Sequence, residues 1–421
     1  MNGKVRKTGV KRYFFGVAFT LAWLLGSGAA AGADSIRIAV IDPFSGPAAL
    51  QGEMGVRHIQ MAVEDINARG GVLGGTKLEL VTFDNKSSPQ ESLVVLKQAI
   101  DQDIRLVTQG VGSHVAHAMT DAVLKYNQRN PGREILYLNN GATDTALTEE
   151  KCNFWHFRFD ANLDMKIDAL TGVLSTQKAA KKVYLINQDY AYGHSFKRVA
   201  REMLAKKRPD IEIVGDDLIP LGKVKDFAPY ITKIKSSGAD TVLTGNWGSD
   251  LALLIKAAED SGLDATFYTN YGFLVGTPRA FGAAGANRVK TVAGWNANIA
   301  GHPLERYYLD YKKRFREDFG FMAYKYFVEM LARAIDKAGS ADPVRVARAL
   351  EDLRYDGGVG EVWMRADDHQ IIMPLYVSSF VKAGNADVKY DADDTGYGWK
   401  SDVRIEAKDN ILPTACRMER P

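Results

Sequence analysis

Short runs of β-branched and other apolar residues alternate along this chain with longer stretches whose apolar positions recur at helical spacing. That rhythm predicts βα units building a parallel sheet. The first runs, Ile36 to Ile41, Lys77 to Phe83, Ile104 to Thr108 and Glu134 to Leu138, read as strands. Between them lie predicted helices near Gln51 to Ala68, Gln90 to Gln102 and Val115 to Gln128. Val56, Ile59, Met61, Val63 and Ile66 give the first helix an apolar face, and GGVLGG, Gly70 to Gly75, ends it with residues able to take positive φ.

The alternation restarts after Cys152. Helices are predicted over Asp164 to Ser175, Ser195 to Lys206, Phe227 to Ser236 and Asp250 to Ser261, interleaved with strands Lys182 to Asn187, Ile211 to Gly215, Asp240 to Thr244 and Thr266 to Thr269. Two such series imply two doubly wound α/β lobes. The pattern then changes to helices near Leu304 to Phe319, Met322 to Ala338 and Pro343 to Asp352, with strands in Gly360 to Arg365 and Met373 to Phe380.

Composition removes some classes. With 421 residues, 46% apolar and 25% charged, the chain has material for sizeable cores and is neither disordered nor collagen-like. The charge of +3 belongs to the first segment: Lys4, Arg6, Lys7, Lys11 and Arg12 precede an apolar run from Tyr13 to Leu25 and an Ala31-Gly32-Ala33 site. This is the pattern of a secretory signal peptide, residues 1–33, cleaved after Ala33; its apolar run is shorter than the roughly 20 residues a membrane-spanning helix needs. Losing those five basic residues takes the formal charge to −2, and no Lys/Arg cluster resembling a nucleic-acid footprint remains. Export also gives meaning to the only two cysteines: Cys152 and Cys416 are expected to form one disulfide. His114 and His117 share a predicted helix but have no third ligand in view, so no metal is assigned.

Candidate chemistry collects where strands end and helices begin, because open α/β sheets bind ligands beyond the carboxyl ends of their strands. In QGVGSHVAHA, Ser113 stands at a helix start, where its hydroxyl either caps the helix or binds an anion beside free N–H groups. NNGATDTALT supplies Thr143, and DYAYG, TGNWG and TNYG put Tyr192, Trp247 and Tyr271 at strand ends, as core packing or as ligand walls. An enzyme is the remote alternative. Gly110-Val111-Gly112 lacks the third glycine of a dinucleotide fingerprint, and Ser113-His114 has no G-x-S-x-G around it. No cofactor is implied.

The ordered set DPFSGPAALQGEMGVRHIQMAVEDINARGGVLGG, QGVGS, NNGATDTALT, FRFDAN, DYAYG, KDFAPYITKIKSSGADTVLTGNWGSD and VGEVWMRADDHQ resembles the periplasmic substrate-binding proteins of ABC transporters for branched-chain amino acids, amides and related carboxylates. The likeness spans nearly all of Ile36 to Phe380. It implies the type I periplasmic-binding fold, two lobes joined by three crossovers that close over one ligand. The implied division is 34–157 and 295–357 for the first lobe, 158–294 and 358–400 for the second, and a tail, 401–421, tied to the first lobe by the disulfide. By the same resemblance Ser113 grips a ligand carboxylate, Gly141 and Thr143 add backbone and hydroxyl contacts, and Tyr192 and Trp247 contribute rings. A small carboxylate ligand, an inner-membrane permease as partner, a monomeric state and a periplasmic location follow as expectations.

Two departures bear on the ligand. Leucine-type members place a Trp where this chain has Gln51, and an acidic residue for the ligand's ammonium in the segment corresponding to TNYG, where Asn270 and Tyr271 stand here. A buried ammonium without an acidic partner is costly. An aromatic or aliphatic acid without an α-amino group therefore fits better, with Asp144 and Asp189 as the candidates that would rescue a branched-chain amino acid. A periplasmic sensor with the same cleft is the other binding alternative.

Overall fold

The computed structural model describes residues 35–421, so the expected signal peptide lies outside the described residues. The first series folds as β1 (Ile36–Asp42), α1 (Ala49–Ala68), β2 (Leu78–Asp84), α2 (Pro89–Asp101), β3 (Leu106–Gln109), α3 (Ser113–Arg129), β4 (Leu136–Asn139) and β5 (His156–Arg158). Its five strands are all parallel, in the order β2-β1-β3-β4-β5. The second series is α4 (Leu163–Thr176), β6 (Lys182–Gln188), α5 (Ala191–Lys207), β7 (Glu212–Ile219), α6 (Ala228–Ser236), β8 (Thr241–Thr244), α7 (Gly248–Asp260), β9 (Thr266–Thr269), α8 (Thr277–Phe281) and β10 (Val289–Ala293).

After β10 the chain returns to the first lobe as α9 (Glu305–Phe315), α10 (Met322–Ala338) and α11 (Pro343–Leu350), with α10 packed on α1. A small antiparallel sheet, β11 (Arg354–Asp356), β12 (Glu361–Met364) and β13 (Ile371–Ile372), follows. The hairpin β14 (Leu375–Lys382) and β15 (Tyr397–Ile405) completes the second sheet, β15-β14-β10-β9-β8-β6-β7, in which only these two strands run antiparallel to their neighbours. The chain thus passes between the two sheets three times. β15 runs past the boundary expected at residue 400.

Local chemistry explains the ends of several elements. Ser88 caps α2 by accepting the Glu91 N–H, with Pro89 in the first turn, and Asn162 caps α4 through Met165 N–H at 2.9 Å. α1 ends where Gly70 turns to φ +110° and Gly71 N–H reaches back to the Ile66 carbonyl. The central strands are apolar on both faces, as a helix-covered parallel sheet requires; Ile38 to Ile41 are wholly buried. Cys152 and Cys416 are bonded, which ties the tail beside the loop after β4. Among the described residues no helix is long and apolar enough to cross a membrane.

Candidate ligand-binding site

In each sheet the second strand in sequence lies on one side of the first and the remaining strands lie on the other. The connections therefore diverge beside β1 and again beside β6, and a crevice opens at the carboxyl edge. The two edges face one another. A cavity of about 50 Å³ lies between them, and all six residues expected at the site, Ser113, Gly141, Thr143, Tyr192, Trp247 and Tyr271, line it.

The first-lobe rim is built from backbone. Asp42, at the end of β1, accepts Gly110 N–H (3.1 Å) and Val111 N–H (2.9 Å), while Gln109 Nε2 holds the Val111 carbonyl at 2.7 Å. Burial pushes the Asp42 carboxyl up to about 7 against the lowering effect of those two N–H groups. Only glycine fits at 110, because a Cβ there would lie 1.9 Å from Asn140 Oδ1, and Gly112 takes φ +94° to turn the chain into α3. Asn139 fixes the next turn by accepting Gly141 N–H (3.1 Å) and Ala142 N–H (2.8 Å). Buried Arg158 supports it from behind, donating to the Asp144 carbonyl at 2.6 Å.

Ser113 does not cap its helix: Gly112 is the N-cap residue, and no side chain caps there. The Ser113 hydroxyl instead accepts Asp144 N–H at 3.3 Å, which leaves its own O–H free to donate. The N–H groups of Ser113, His114 and Thr143 make no hydrogen bond to another described residue. Three unspent amide donors and two hydroxyls at a helix N-terminus can hold a carboxylate without a buried cation.

The second-lobe rim is built from rings. Tyr190 and Tyr192 follow β6, Trp247 follows β8 and Tyr271 follows β9, and all four line the cavity. Trp247 Nε1 donates to Tyr190 Oη at 2.9 Å, and Asn270 Nδ2 to Tyr192 Oη at 3.0 Å. The rims touch: Tyr271 Oη lies 3.1 Å from Thr143 Oγ1 and 3.4 Å from the Gly141 carbonyl, and Ser195 Oγ donates to Asp144 Oδ1 at 2.9 Å. Phe321 and Tyr324 close the floor.

The chain thus has two largely parallel sheets that exchange three connections, with a crevice between their carboxyl edges. Residues 35–385 match the family described as periplasmic binding protein. The chain belongs to that family. This binding protein is similar to the Leu/Ile/Val-binding protein homolog 4 of Brucella melitensis biotype 1, at 33% identity over 417 residues, 96% of this chain and 98% of that one. It is similar also to the closed crystal structure of a leucine-, isoleucine-, valine-, threonine- and alanine-binding protein from Brucella ovis, with a TM-score of 0.84, 31% identity, and coverage of 92% of this chain and 100% of the other. A solute-binding protein from Rhodopseudomonas palustris BisB5 in complex with 3,4-dihydroxy benzoic acid shares the fold, with a TM-score of 0.76 at 19% identity over 89% of this chain and 98% of that one.

No charged side chain lines the cavity among the described residues. Neither candidate partner for an α-ammonium reaches it. Burial pushes the Asp144 carboxyl up, but hydrogen bonds from His117 (2.8 Å) and Ser195 outweigh that and hold it below its usual range outside the cavity wall. Asp189 is exposed and pairs with His194 at 2.8 Å. Gln51 lines the cavity where leucine-type members place their Trp, whereas Asn270 stands behind the wall, holding Tyr192. Sequence reasoning missed Tyr190, Phe321 and Tyr324. The first was signalled by the paired tyrosines of DYAYG; the others come from a distant return segment with no motif of their own.

Proposed function

We propose that this chain is exported, loses residues 1–33, and works in the periplasm as the non-catalytic solute-binding component of an ABC importer. Its two lobes close over a small carboxylate and deliver it to an inner-membrane permease. Membership of the binding-protein family supports the delivery role, and the charge pattern of the first 33 residues supports export. Ser113, Thr143 and the α3 N-terminus take the carboxylate, Gly141 shapes that turn, and Tyr192, Trp247 and Tyr271 cover the ligand body. A carboxylate on Thr143 displaces the Tyr271 hydroxyl that now rests there.

The observation that carries the ligand class is the wall itself, with amide and hydroxyl donors at one end, aromatic faces around the rest and no acidic side chain. Such a wall favours an aromatic or aliphatic acid over its α-amino counterpart, although the relatives above 30% identity are named for amino acids. A thermal-shift comparison of 3-phenylpropanoate with phenylalanine, and of 4-methylpentanoate with leucine, tests it. The acid of each pair should give the larger shift at equal concentration, since stabilisation grows as RT ln(1 + [L]/Kd). Larger shifts from leucine and phenylalanine would overturn the ligand class.

A further inference from the structure

The second-lobe tyrosines have a polarity that the carboxylate reading leaves unused. An indole N–H only donates, so Trp247 Nε1 at 2.9 Å makes Tyr190 Oη an acceptor and turns the Tyr190 O–H outward as a donor. Asn270 Nδ2 does the same to Tyr192. Burial raises both phenols above their ordinary range, so both remain protonated. These donors stand close to the carboxylate end: the Tyr190 ring is 5.3 Å from the ring of His114, next to Ser113, and the Tyr192 ring is 5.8 Å from that of Tyr271, whose hydroxyl touches Thr143.

Many of the carbonyls near that end are already engaged, while Gln51 Oε1 in the cavity wall is not. The Val111 carbonyl accepts Gln109 Nε2, the Gly112 carbonyl accepts Val115 and Ala116 N–H, and the Ala142 carbonyl accepts Asn139 Nδ2. The Gly141 carbonyl is covered by Tyr271 Oη, and that of Thr143 accepts Leu163 N–H. An ammonium beside the carboxylate would meet spare donors and no charged acceptor, whereas a carbonyl oxygen would meet two O–H groups.

Resting on the carboxylate reading and narrowing it, we infer that the cleft selects 2-oxo acids, with Tyr190 and Tyr192 donating to the oxo oxygen and Trp247 and Asn270 setting the direction of those donors. Asn270 is a positioning residue: it acts on the ligand through Tyr192.

The test is isothermal titration of the mature protein with four ligands on one skeleton: 3-phenylpropanoate, phenylpyruvate, phenyllactate and phenylalanine. Phenylpyruvate should bind about tenfold more tightly than 3-phenylpropanoate, the gain of one or two neutral hydrogen bonds, with phenyllactate between them and phenylalanine weakest. Asn270→Asp replaces the donor behind Tyr192 with an acceptor, so the Tyr192 O–H turns back to it and its lone pairs face the cavity. The oxo-to-amino preference should then fall by about tenfold or more. Tyr192→Phe should bring the oxo-to-plain ratio within about threefold, and it carries the test if Asn270→Asp fails to fold. Equal affinity for the oxo and plain acids would show that the tyrosines serve the carboxylate itself; the inference would fall and the acid reading would stand. An unchanged preference in both variants would also overturn it. Binding of phenylalanine alone would remove both readings.

Discussion

The two rims of the cleft are made of different materials. The first-lobe rim is glycine, short hydroxyl side chains and backbone, held by Asp42, Asn139 and Arg158 behind it. The second-lobe rim is four aromatic side chains: the Trp247 N–H bonds to Tyr190, Tyr192 is held by Asn270, and Tyr271 reaches across the gap to Thr143. In the proposed function, charge recognition rests on the part held mainly from within one lobe. Recognition of the ligand body is proposed for the aromatic part, whose Tyr271 hydroxyl also makes contact between the lobes. Substitutions on the two sides should therefore fail in different ways.

The largest effect should come from a place that supports the first rim without forming it. Replacing Cys152 and Cys416 together with serine opens a loop spanning 264 residues of sequence. By chain-entropy reasoning it should cost at most roughly 5 kcal/mol of stability. Calorimetry should show a lowered Tm, while ligand affinity below that temperature stays near the parent value because Asp42 and Asn139 still hold the rim.

Next comes a pH effect peculiar to the first lobe. Asp42 has its folded pKa raised from 3.8 to about 7, so its contribution to stability is complete below pH 3.8 and is lost as pH rises through 7. His58, buried against Met54 and the Gly320 N–H, is depressed by burial from 6.5 to about 3; its contribution is present above 6.5 and lost as pH falls toward 3. The two oppose each other between those limits. Asp42→Asn keeps an oxygen for Gly110 and Val111 but removes the falling arm, so stability should rise more steeply from pH 4 to 6.5, by about 3 kcal/mol relative to the parent. A parallel pair of stability profiles would show that Asp42 ionises in the folded protein as it does in water.

Ser113→Ala and Thr143→Ala should each weaken acid binding about tenfold to a hundredfold, the worth of a hydrogen bond to a charged group. Ser113→Ala also leaves the buried Asp144 N–H without its acceptor, so the ligand-free Tm should fall modestly alongside the affinity. A fall in Tm with affinity intact would return Ser113 to a structural role. On the opposite rim the effects are smaller. Ser195→Ala removes one contact between the lobes, to Asp144, and should weaken binding about threefold with the ligand preference unchanged, as read by titration.

Much of this arrangement was legible in the chain, and the omissions have physical causes. Long β-branched runs and amphipathic stretches located the core of both sheets, with Thr266 to Thr269 and Met322 to Ala338 matched at both ends. β5 escaped because it has three residues on the edge of its sheet, and β10 because Val289 to Ala293 follows a glycine- and alanine-rich stretch that hides its pattern. α9 stops at Phe315, four residues before the expected end, because Arg316 turns left-handed at φ +58° and Phe319 packs against Trp295 instead of continuing the helix. α5 begins at Ala191 and not Ser195, which sets Tyr192 in its first turn. The rule that ligands gather at strand ends found the hydroxyls and rings that follow β3, β4, β6, β8 and β9. It does not reveal that Tyr190 receives the Trp247 N–H or that Asn270 lies behind Tyr192, because those pairings join segments 57 and 78 residues apart in sequence.

The most direct measurement is native mass spectrometry of the freshly purified protein, followed by denaturation and analysis of what is released. One bound small molecule should be released, a carboxylic acid without an α-amino group. Release of leucine, isoleucine or valine as the carried ligand would contradict that.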